Sequence, residues 1–176
     1  MNVRISERLG NILGYAREEA MRTGCRAITP DHLALGILRD GDNDACRAMA
    51  ALGVEPDRLK SHIDGRICSG SYIPYSESPH IAISRNAGNA INLAAFEALK
   101  AGQEEVIPAH LLLGLCRTEG WEGKALFDLA GITPESLGEY LKEHGMHVST
   151  IRTVTPSPED ISGLIRIPGI GSNIPS

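Results

Sequence analysis

A chain of 176 residues is long enough for one domain of ordinary size and for a core that buries roughly two-thirds of the unfolded surface. Charged residues make up 22%, aromatic residues only 4%, and the net charge is -5, so the chain offers neither a basic surface nor stacking platforms for nucleic acid. It also lacks a signal-peptide core, a membrane-length apolar run and a CxxC pair, which predicts a cytoplasmic protein with reduced thiols, no metal site and no membrane partner.

The first predicted helix runs from about Ser6 to Thr23 and is closed by Gly24 as a C-terminal cap. Charges on this helix, Arg17-Glu18-Glu19, are interpreted as solvated surface charge. Apolar residues recur along it at spacings of three and four, which predicts a single buried stripe made of Leu9, Ile12, Leu13, Ala16 and Ala20.

Three further helices complete the first predicted unit. The second begins at Thr29-Pro30, where a hydroxyl N-cap precedes a proline at the first helical position. The third covers about Asn43 to Leu52 and ends at Gly53, and the fourth opens at Pro56. The second helix is short and apolar almost all round, so we expect it to be central.

This unit occurs twice in the chain. Ile5–His62 aligns with Ile83–Tyr140 without a gap, and "ITPDHLALGILR" aligns with "VIPAHLLLGLCR". We therefore predict an all-α fold of two pseudo-symmetric four-helix repeats, about eight helices in all, with an extended C-terminal tail. Identical residues fall at structurally informative places: Ser6/Ser84, Gly24/Gly102, Pro30/Pro108, His32/His110, Gly36/Gly114, Arg39/Arg117, Gly53/Gly131 and Pro56/Pro134.

The repeat alignment divides the chain into repeat 1 at residues 1–64, an inter-repeat loop at 65–82, repeat 2 at 83–145 and a tail or linker at 146–176. The inter-repeat loop is either a slack surface loop or a functional loop with contacts at Tyr72, Ile73 and Tyr75. In the tail, a short strand at His147–Val154 is one interpretation, and long helices are excluded by Pro156, Pro158, Pro168 and Pro175.

Three side chains in the repeats attract attention as candidate site residues. His32 and His110 stand just inside a helix start in both copies, where an imidazole can bond to backbone groups, so we interpret them as structural rather than catalytic or metal-binding. Trp121 precedes the third helix of repeat 2, and two interpretations stay open for it: an exposed partner anchor or a core residue.

In combination, these features resemble the double Clp repeat domain at the N-terminus of Clp-type AAA+ unfoldases such as ClpA and ClpC, over about residues 1–145. The repeat starts Ile5-Ser6-Glu7-Arg8 and Ile83-Ser84-Arg85-Asn86 carry the resemblance, together with the "HL.LG.LR" pattern. The lead-in to the second helix departs from the family's Gly-Thr-Glu-His, with Thr29-Pro30-Asp31-His32 in one copy and Ile107-Pro108-Ala109-His110 in the other.

The resemblance implies a non-enzymatic, monomeric module that docks adaptors or client proteins and passes them to an ATP-driven unfolding ring that feeds a peptidase. No P-loop pattern occurs in the sequence, so no cofactor is expected on this chain and ATP would act in an associated AAA+ module. The alternative is a stand-alone regulator that binds a Clp unfoldase or peptidase in trans.

For ClpC-like members, the resemblance further implies recognition of phosphorylated arginine. The hydroxyl at the repeat start would contact the phosphate, and the acid before the signature histidine would contact the guanidinium. The first repeat offers Ser6 and Asp31 for these roles. The second offers Ser84 but has Ala109, whose methyl group cannot make the charge-assisted hydrogen bond.

Overall fold

The computed structural model describes residues 3–69 and 71–144. The predicted tail at 146–176, with its proposed strand at His147–Val154, lies outside this range. Within the range, the all-α prediction is confirmed by eight α-helices: α1 (Glu7–Arg22), α2 (Pro30–Asp40), α3 (Asp44–Ala51), α4 (Pro56–Ile67), α5 (Arg85–Lys100), α6 (Pro108–Arg117), α7 (Gly123–Leu129) and α8 (Pro134–Glu143).

The helix ends follow the capping signals in the sequence. Thr23 is the C-cap of α1, and Gly24 follows it with φ +78°, a left-handed conformation that glycine adopts without a Cβ penalty. At the N-terminus of α3, Asn43 caps the helix by accepting a hydrogen bond from the backbone N–H of Cys46. Thr133 caps α8 in the same way through the N–H of Ser136.

The segment between the repeats is more ordered than its composition predicts. Helix α4 continues to Ile67, three residues past the predicted boundary at residue 64, and a 3₁₀ helix covers Tyr75–His80. Ile73 is only 4% exposed, and its N–H donates to the carbonyl of Met21 on α1 at 3.0 Å. Burial of this side chain, and its backbone hydrogen bond, attach the segment to the first repeat, so Ile73 is a core residue and not an exposed contact.

Helix pairs α1/α2 and α5/α6 form the centre of the two repeats. Gly36 lets α2 approach α1 closely, since a Cβ there would lie 2.7 Å from the carbonyl oxygen of Ile12. Gly114 does the same for α6, where a Cβ would clash with the carbonyl of Ala90. The two glycines of the "HL.LG.LR" pattern are therefore required by backbone approach within each helix pair.

Two short parallel strand pairs link the repeats crosswise. Strand β1 (Arg4–Ile5) pairs with β4 (Glu105–Val106), and β2 (Ala27–Ile28) pairs with β3 (Ala82–Ile83). Each pair joins the start of one repeat to the lead-in of the second helix of the other repeat. The core is accordingly one continuous cluster that spans both repeats.

Candidate functional site

The strand pairs decide which repeat-start serine lies near which second helix. The N–H of Ser84 donates to the carbonyl of Ile28 at 2.9 Å, just before α2, whereas the N–H of Ser6 donates to the carbonyl of Val106 at 3.1 Å, just before α6. Ser84 therefore lies at the start of the helix that carries Asp31. Ser6 lies at the start of the helix that carries Ala109.

The sequence-based pairing of Ser6 with Asp31 is consequently wrong. Helices α1 and α2 run antiparallel, and Arg8 in the first turn of α1 bonds to Asp40 at the last residue of α2 at 3.4 Å. The 11 residues of α2 span about 16 Å, which separates its two ends. An alignment within one repeat could not show this, because the neighbouring positions come from different repeats.

Both serines serve as helix N-caps. The hydroxyl oxygen of Ser6 accepts a hydrogen bond from the N–H of Leu9 at 3.1 Å, and that of Ser84 accepts one from the N–H of Ala87 at 3.2 Å. Ser6 is 8% exposed and Ser84 is partly buried. Their hydroxyl hydrogens stay available as donors to an anion, since the capping bonds use only the oxygen lone pairs.

Asp31 already has a cationic partner. Arg66 on α4 donates from Nη1 to Oδ2 of Asp31 at 3.0 Å and from Nη2 to Oδ1, a two-pronged pair in which the Asp31 side chain is 10% exposed. The hydrogen bonds to Asp31 raise the pKa of the Arg66 guanidinium. A guanidinium ligand at Asp31 would have to displace Arg66.

The equivalent position in repeat 2 has a carboxylate from the other repeat. Asp44, the first residue of α3, accepts a hydrogen bond from the N–H of Ala109 at 2.6 Å. Burial raises the pKa of Asp44, although this bond works in the opposite direction. No signal in the sequence points to Asp44, because only the packing of α3 against the start of α6 brings it there.

His32 is fully buried and bonded through both ring nitrogens. Nδ1 accepts from the N–H of Thr29 at 3.0 Å, so Nε2 carries the proton and donates to the hydroxyl of Thr23 at 2.9 Å. Burial lowers the pKa of His32 to about 4. In repeat 2, Nδ1 of His110 accepts from the N–H of Ile107 at 3.0 Å, which reproduces the first of these bonds.

A buried glutamate in each repeat organises a set of basic side chains. Glu19 is 4% exposed and bonds to Arg22 at 2.8 Å, and its counterpart Glu97 bonds to Lys100 at 3.1 Å and Arg117 at 2.7 Å. The interpretation of Glu19 as solvated charge is therefore wrong. Glu19 lies beside the buried apolar stripe that the spacing predicts on α1. Its burial is possible because the ion pairs neutralise its charge.

Two tyrosines of the inter-repeat segment form the most exposed aromatic surface of the described residues. Tyr72 and Tyr75 are 69% and 70% exposed and stand on either side of the buried Ile73. They border a recess of about 160 Å³ whose other walls include Arg22 and Arg39. We call Tyr72, Tyr75 and this recess the tyrosine surface.

Trp121 does not belong to any exposed surface. It is 8% exposed, its indole N–H donates to the carbonyl of Leu115 at 3.2 Å, and its ring meets that of Phe127 edge-on at 5.3 Å. Of its two interpretations, core packing is right and the partner anchor is wrong. The indole packs between the end of α6 and α7, in contact with the ring of Phe127.

The described residues contain no group of three or more His, Cys, Asp or Glu side chains placed to hold a metal ion. Among them, burial raises the pKa of Cys46 to about 11 and that of Cys116 to about 12, so both stay protonated thiols at neutral pH. In the same part of the chain, none of the helices combines the length and apolar character needed to cross a bilayer.

Comparison with known proteins gives a consistent set of relatives. A family model described as the Clp repeat (R) N-terminal domain matches residues 4–158. The negative regulator of genetic competence ClpC/MecB of Bacillus subtilis is 34% identical over 127 residues, and the chaperone protein ClpB of Oceanobacillus iheyensis is 32% identical over 127 residues. Each match covers 72% of this chain and 15% of the relative, so the chain spans only a small part of their length.

A solved structure shows the same fold. The N-terminal domain of the caseinolytic protease associated chaperone ClpD from Arabidopsis thaliana superimposes with a TM-score of 0.60 at 18% sequence identity. The match covers 79% of this chain and 95% of that domain.

Proposed function

Since the chain belongs to the Clp repeat (R) N-terminal domain family, we propose that it is a docking domain of an ATP-dependent Clp unfoldase and protease system, which binds adaptors or client proteins without catalysing a reaction. It would act in the cytoplasm as a monomer without a cofactor of its own, and ATP would be used by an associated AAA+ module. Support for a Clp system comes from the names of the relatives. They are ClpC/MecB, the chaperone protein ClpB, and ClpC, the ATP-binding subunit of an ATP-dependent Clp protease.

The tyrosine surface carries the docking proposal. Tyr72 and Tyr75 are exposed although they are large aromatic side chains, and Ile73 between them is anchored in the core. Because the anchored backbone lowers the entropy lost on binding, exposed aromatic residues on it are suited to contact a protein partner. The adjoining recess is lined by ion-paired side chains, Arg22 with Glu19 and Arg39 with Glu18, whose polar groups can orient that partner.

Phosphoarginine recognition remains a prediction, now with a different set of residues for each pocket. Ser84 and Asp31 provide a hydroxyl donor and a carboxylate on adjoining segments, as recognition of a phosphorylated guanidinium requires. Ser6 adjoins Ala109, whose methyl group offers no carboxylate to the guanidinium and whose N–H already donates to Asp44 at 2.6 Å. We therefore propose one phosphoarginine pocket, at Ser84 and Asp31, which Arg66 restricts.

The docking proposal is tested with the full chain immobilised and exposed to purified candidate adaptors and to unfolded client proteins. The Tyr72→Ser, Tyr75→Ser double variant is expected to lose capture about tenfold or more, as for truncated aromatic anchors. Lys142→Ala, which changes an exposed residue on α8, serves as the matched control and should retain capture. Equal capture by the wild type and the double variant would refute the tyrosine surface as the docking site.

The alternative of a stand-alone regulator is tested by determining which proteins the chain binds. A regulator in trans would bind a purified Clp ring or peptidase directly, with the tyrosine variants as controls for the surface used. Binding of adaptors or clients, without binding to the ring or the peptidase, supports the docking domain.

A further inference from the structure

The structure contains a second candidate docking surface, which shares no lining residue with the tyrosine surface. It is a groove of about 350 Å³ between α4 of repeat 1 and the end of α7 in repeat 2. We call it the inter-repeat groove. Its size lies at the lower end of the range for ligand sites, which fits the insertion of a few side chains and not a large cofactor.

The floor and rim of the inter-repeat groove are apolar. Leu59 is buried at its base, while Leu126 and Ala130 are partly buried and pack on the core. Leu129, on the rim, is 87% exposed. Leaving a leucine this exposed beside an apolar recess costs the isolated chain the free energy of its burial, which a partner could recover.

Charges along α4 give the groove a direction. Glu55, the N-cap residue of α4, is followed along the groove by Arg58 and His62, whose four-residue spacing places them on one face of the helix. Among the described residues, the side chains of Arg58 and His62 have neither an ion pair nor a hydrogen bond, so both can bond to an incoming group. The ammonium of Lys60 on the same helix, in contrast, is engaged with Asp64 at 2.9 Å.

From this arrangement we propose that the inter-repeat groove binds an acidic amphipathic helix of a protein partner. Leucine-like side chains spaced four residues apart would enter the recess beside Leu129, and two carboxylates at the same spacing would bond to Arg58 and His62. Glu55 disfavours a third carboxylate at the other end and so restricts the register of the bound helix along the groove. The proposed docking role of the tyrosine surface does not depend on this groove.

The probe is a short fluorescein-labelled peptide that is helical in solution, with leucines four residues apart on one face and glutamates four residues apart on its flank. Its binding to the full chain is measured by fluorescence anisotropy. We expect micromolar affinity, and about a tenfold loss for Leu129→Lys and for Arg58→Glu. Lys142→Glu makes the same change of charge at an exposed cation on α8, the counterpart of α4, and should stay within about twofold of the wild type.

Three results would overturn the proposal. One is equal affinity for a peptide with lysines in place of the glutamates, and another is binding that Leu129→Lys and Arg58→Glu leave unchanged. The third is a dimer in analytical ultracentrifugation that Leu129→Lys converts to a monomer, which would assign the groove to a second copy of this chain. Because Leu129 is 87% exposed, its substitution should not unfold the protein, and circular dichroism of each variant checks this. In all cases, capture through Tyr72 and Tyr75 tests the proposed function independently.

Discussion

Arg66 donates a hydrogen bond from each terminal guanidinium nitrogen to the carboxylate of Asp31, which lies 35 residues earlier in the sequence. The pair connects the end of α4 to the start of α2 and provides the nearly buried carboxylate of Asp31 with a cation. It has no counterpart in repeat 2, where the alignment places Ala109 and His144 at these positions. The two repeats therefore differ at the acid that the resemblance assigns to ligand binding.

The first prediction concerns access to Asp31. Arg66→Gln is expected to raise the affinity of the full chain for phosphoarginine about tenfold, because the competing guanidinium is removed while the carboxylate and Ser84 remain. Asp31→Asn should lower the affinity, because it removes the charge that the ligand needs. Isothermal titration calorimetry of each variant makes the measurement.

Arg58→Gln is the matched control for Arg66→Gln, since Arg58 lies on the same helix and forms no ion pair within the described residues. It should leave the affinity unchanged. Loss of this partly buried ion pair leaves the carboxylate of Asp31 without its cation and should destabilise Arg66→Gln by about 1 kcal/mol, which urea unfolding can verify. Unchanged phosphoarginine affinity in Arg66→Gln would show that Arg66 does not restrict the pocket.

The second prediction concerns Asp44 at the start of α6. Because burial raises its pKa in the folded state, ionisation opposes folding, and the stability contributed by the neutral form is lost as the pH rises above the ordinary value of 3.8. Asp44→Asn keeps an oxygen that can accept from the N–H of Ala109 but cannot ionise. Its stability relative to the wild type is therefore expected to increase between about pH 4 and pH 7.

Asp44→Ala separates charge from hydrogen bonding in that experiment. It removes the acceptor and should cost about 1–2 kcal/mol at pH 4, where Asp44→Asn costs little. Urea unfolding of all three proteins at pH 4 and pH 7 gives the comparison. A parallel pH dependence in the wild type and Asp44→Asn would contradict the assigned role of the carboxyl group.

Much of the fold was accessible from the sequence because the signals for it are local. Proline at a helix start, glycine after a helix end and the apolar spacing of α1 each act within one or two turns. The gapless alignment then transfers each helix to the second repeat. Helix α4 ran past its predicted boundary because its last turn carries Arg66, whose partner Asp31 lies in a different helix.

The candidate site was less accessible because it is assembled between repeats. Ser84 meets Ile28 and Asp44 meets Ala109 through contacts that link one repeat to the other, and the alignment of the repeats carries no information on how they pack. Trp121 was ambiguous for another reason. Its bond to the carbonyl of Leu115 repeats the bond of its counterpart Asn43 to the carbonyl of Ile37 at 3.1 Å, but its ring contact with Phe127 has no aromatic equivalent in repeat 1, where Met49 aligns with Phe127.

The third prediction concerns the neutral state of His32. Burial lowers its pKa from 6.5 to about 4, so protonation favours the unfolded chain, and the stability that neutral His32 provides is lost as the pH falls from 6.5 towards 4. The loss amounts to about 3 kcal/mol at most. His32→Gln cannot be protonated in this range and should show a smaller pH dependence of its free energy of unfolding.

His62, which is exposed on α4, provides the matched control for His32. His62→Gln should keep the pH dependence of the wild type between pH 4 and pH 6.5. Chemical unfolding of the three proteins across this interval measures the difference. If His32→Gln retained the full pH dependence, another group would have to be the source.

The fourth prediction separates two kinds of glycine in the same helix pair. In Gly36→Ala, the new Cβ would lie 2.7 Å from the carbonyl oxygen of Ile12 and 3.1 Å from the backbone nitrogen of Ala16, so α2 must move away from α1. We expect the free energy of unfolding to fall by about 2–3 kcal/mol, as for other overpacked cores.

Gly14→Ala on α1 is the control for this substitution. Its Cβ meets nothing within 4 Å and should stabilise the protein by about 0.5–1 kcal/mol, because alanine is the better helix former. Thermal and urea unfolding of both variants test whether close helix approach, and not helix propensity, requires the glycine of the "HL.LG.LR" pattern. Equal effects of the two substitutions would refute that explanation.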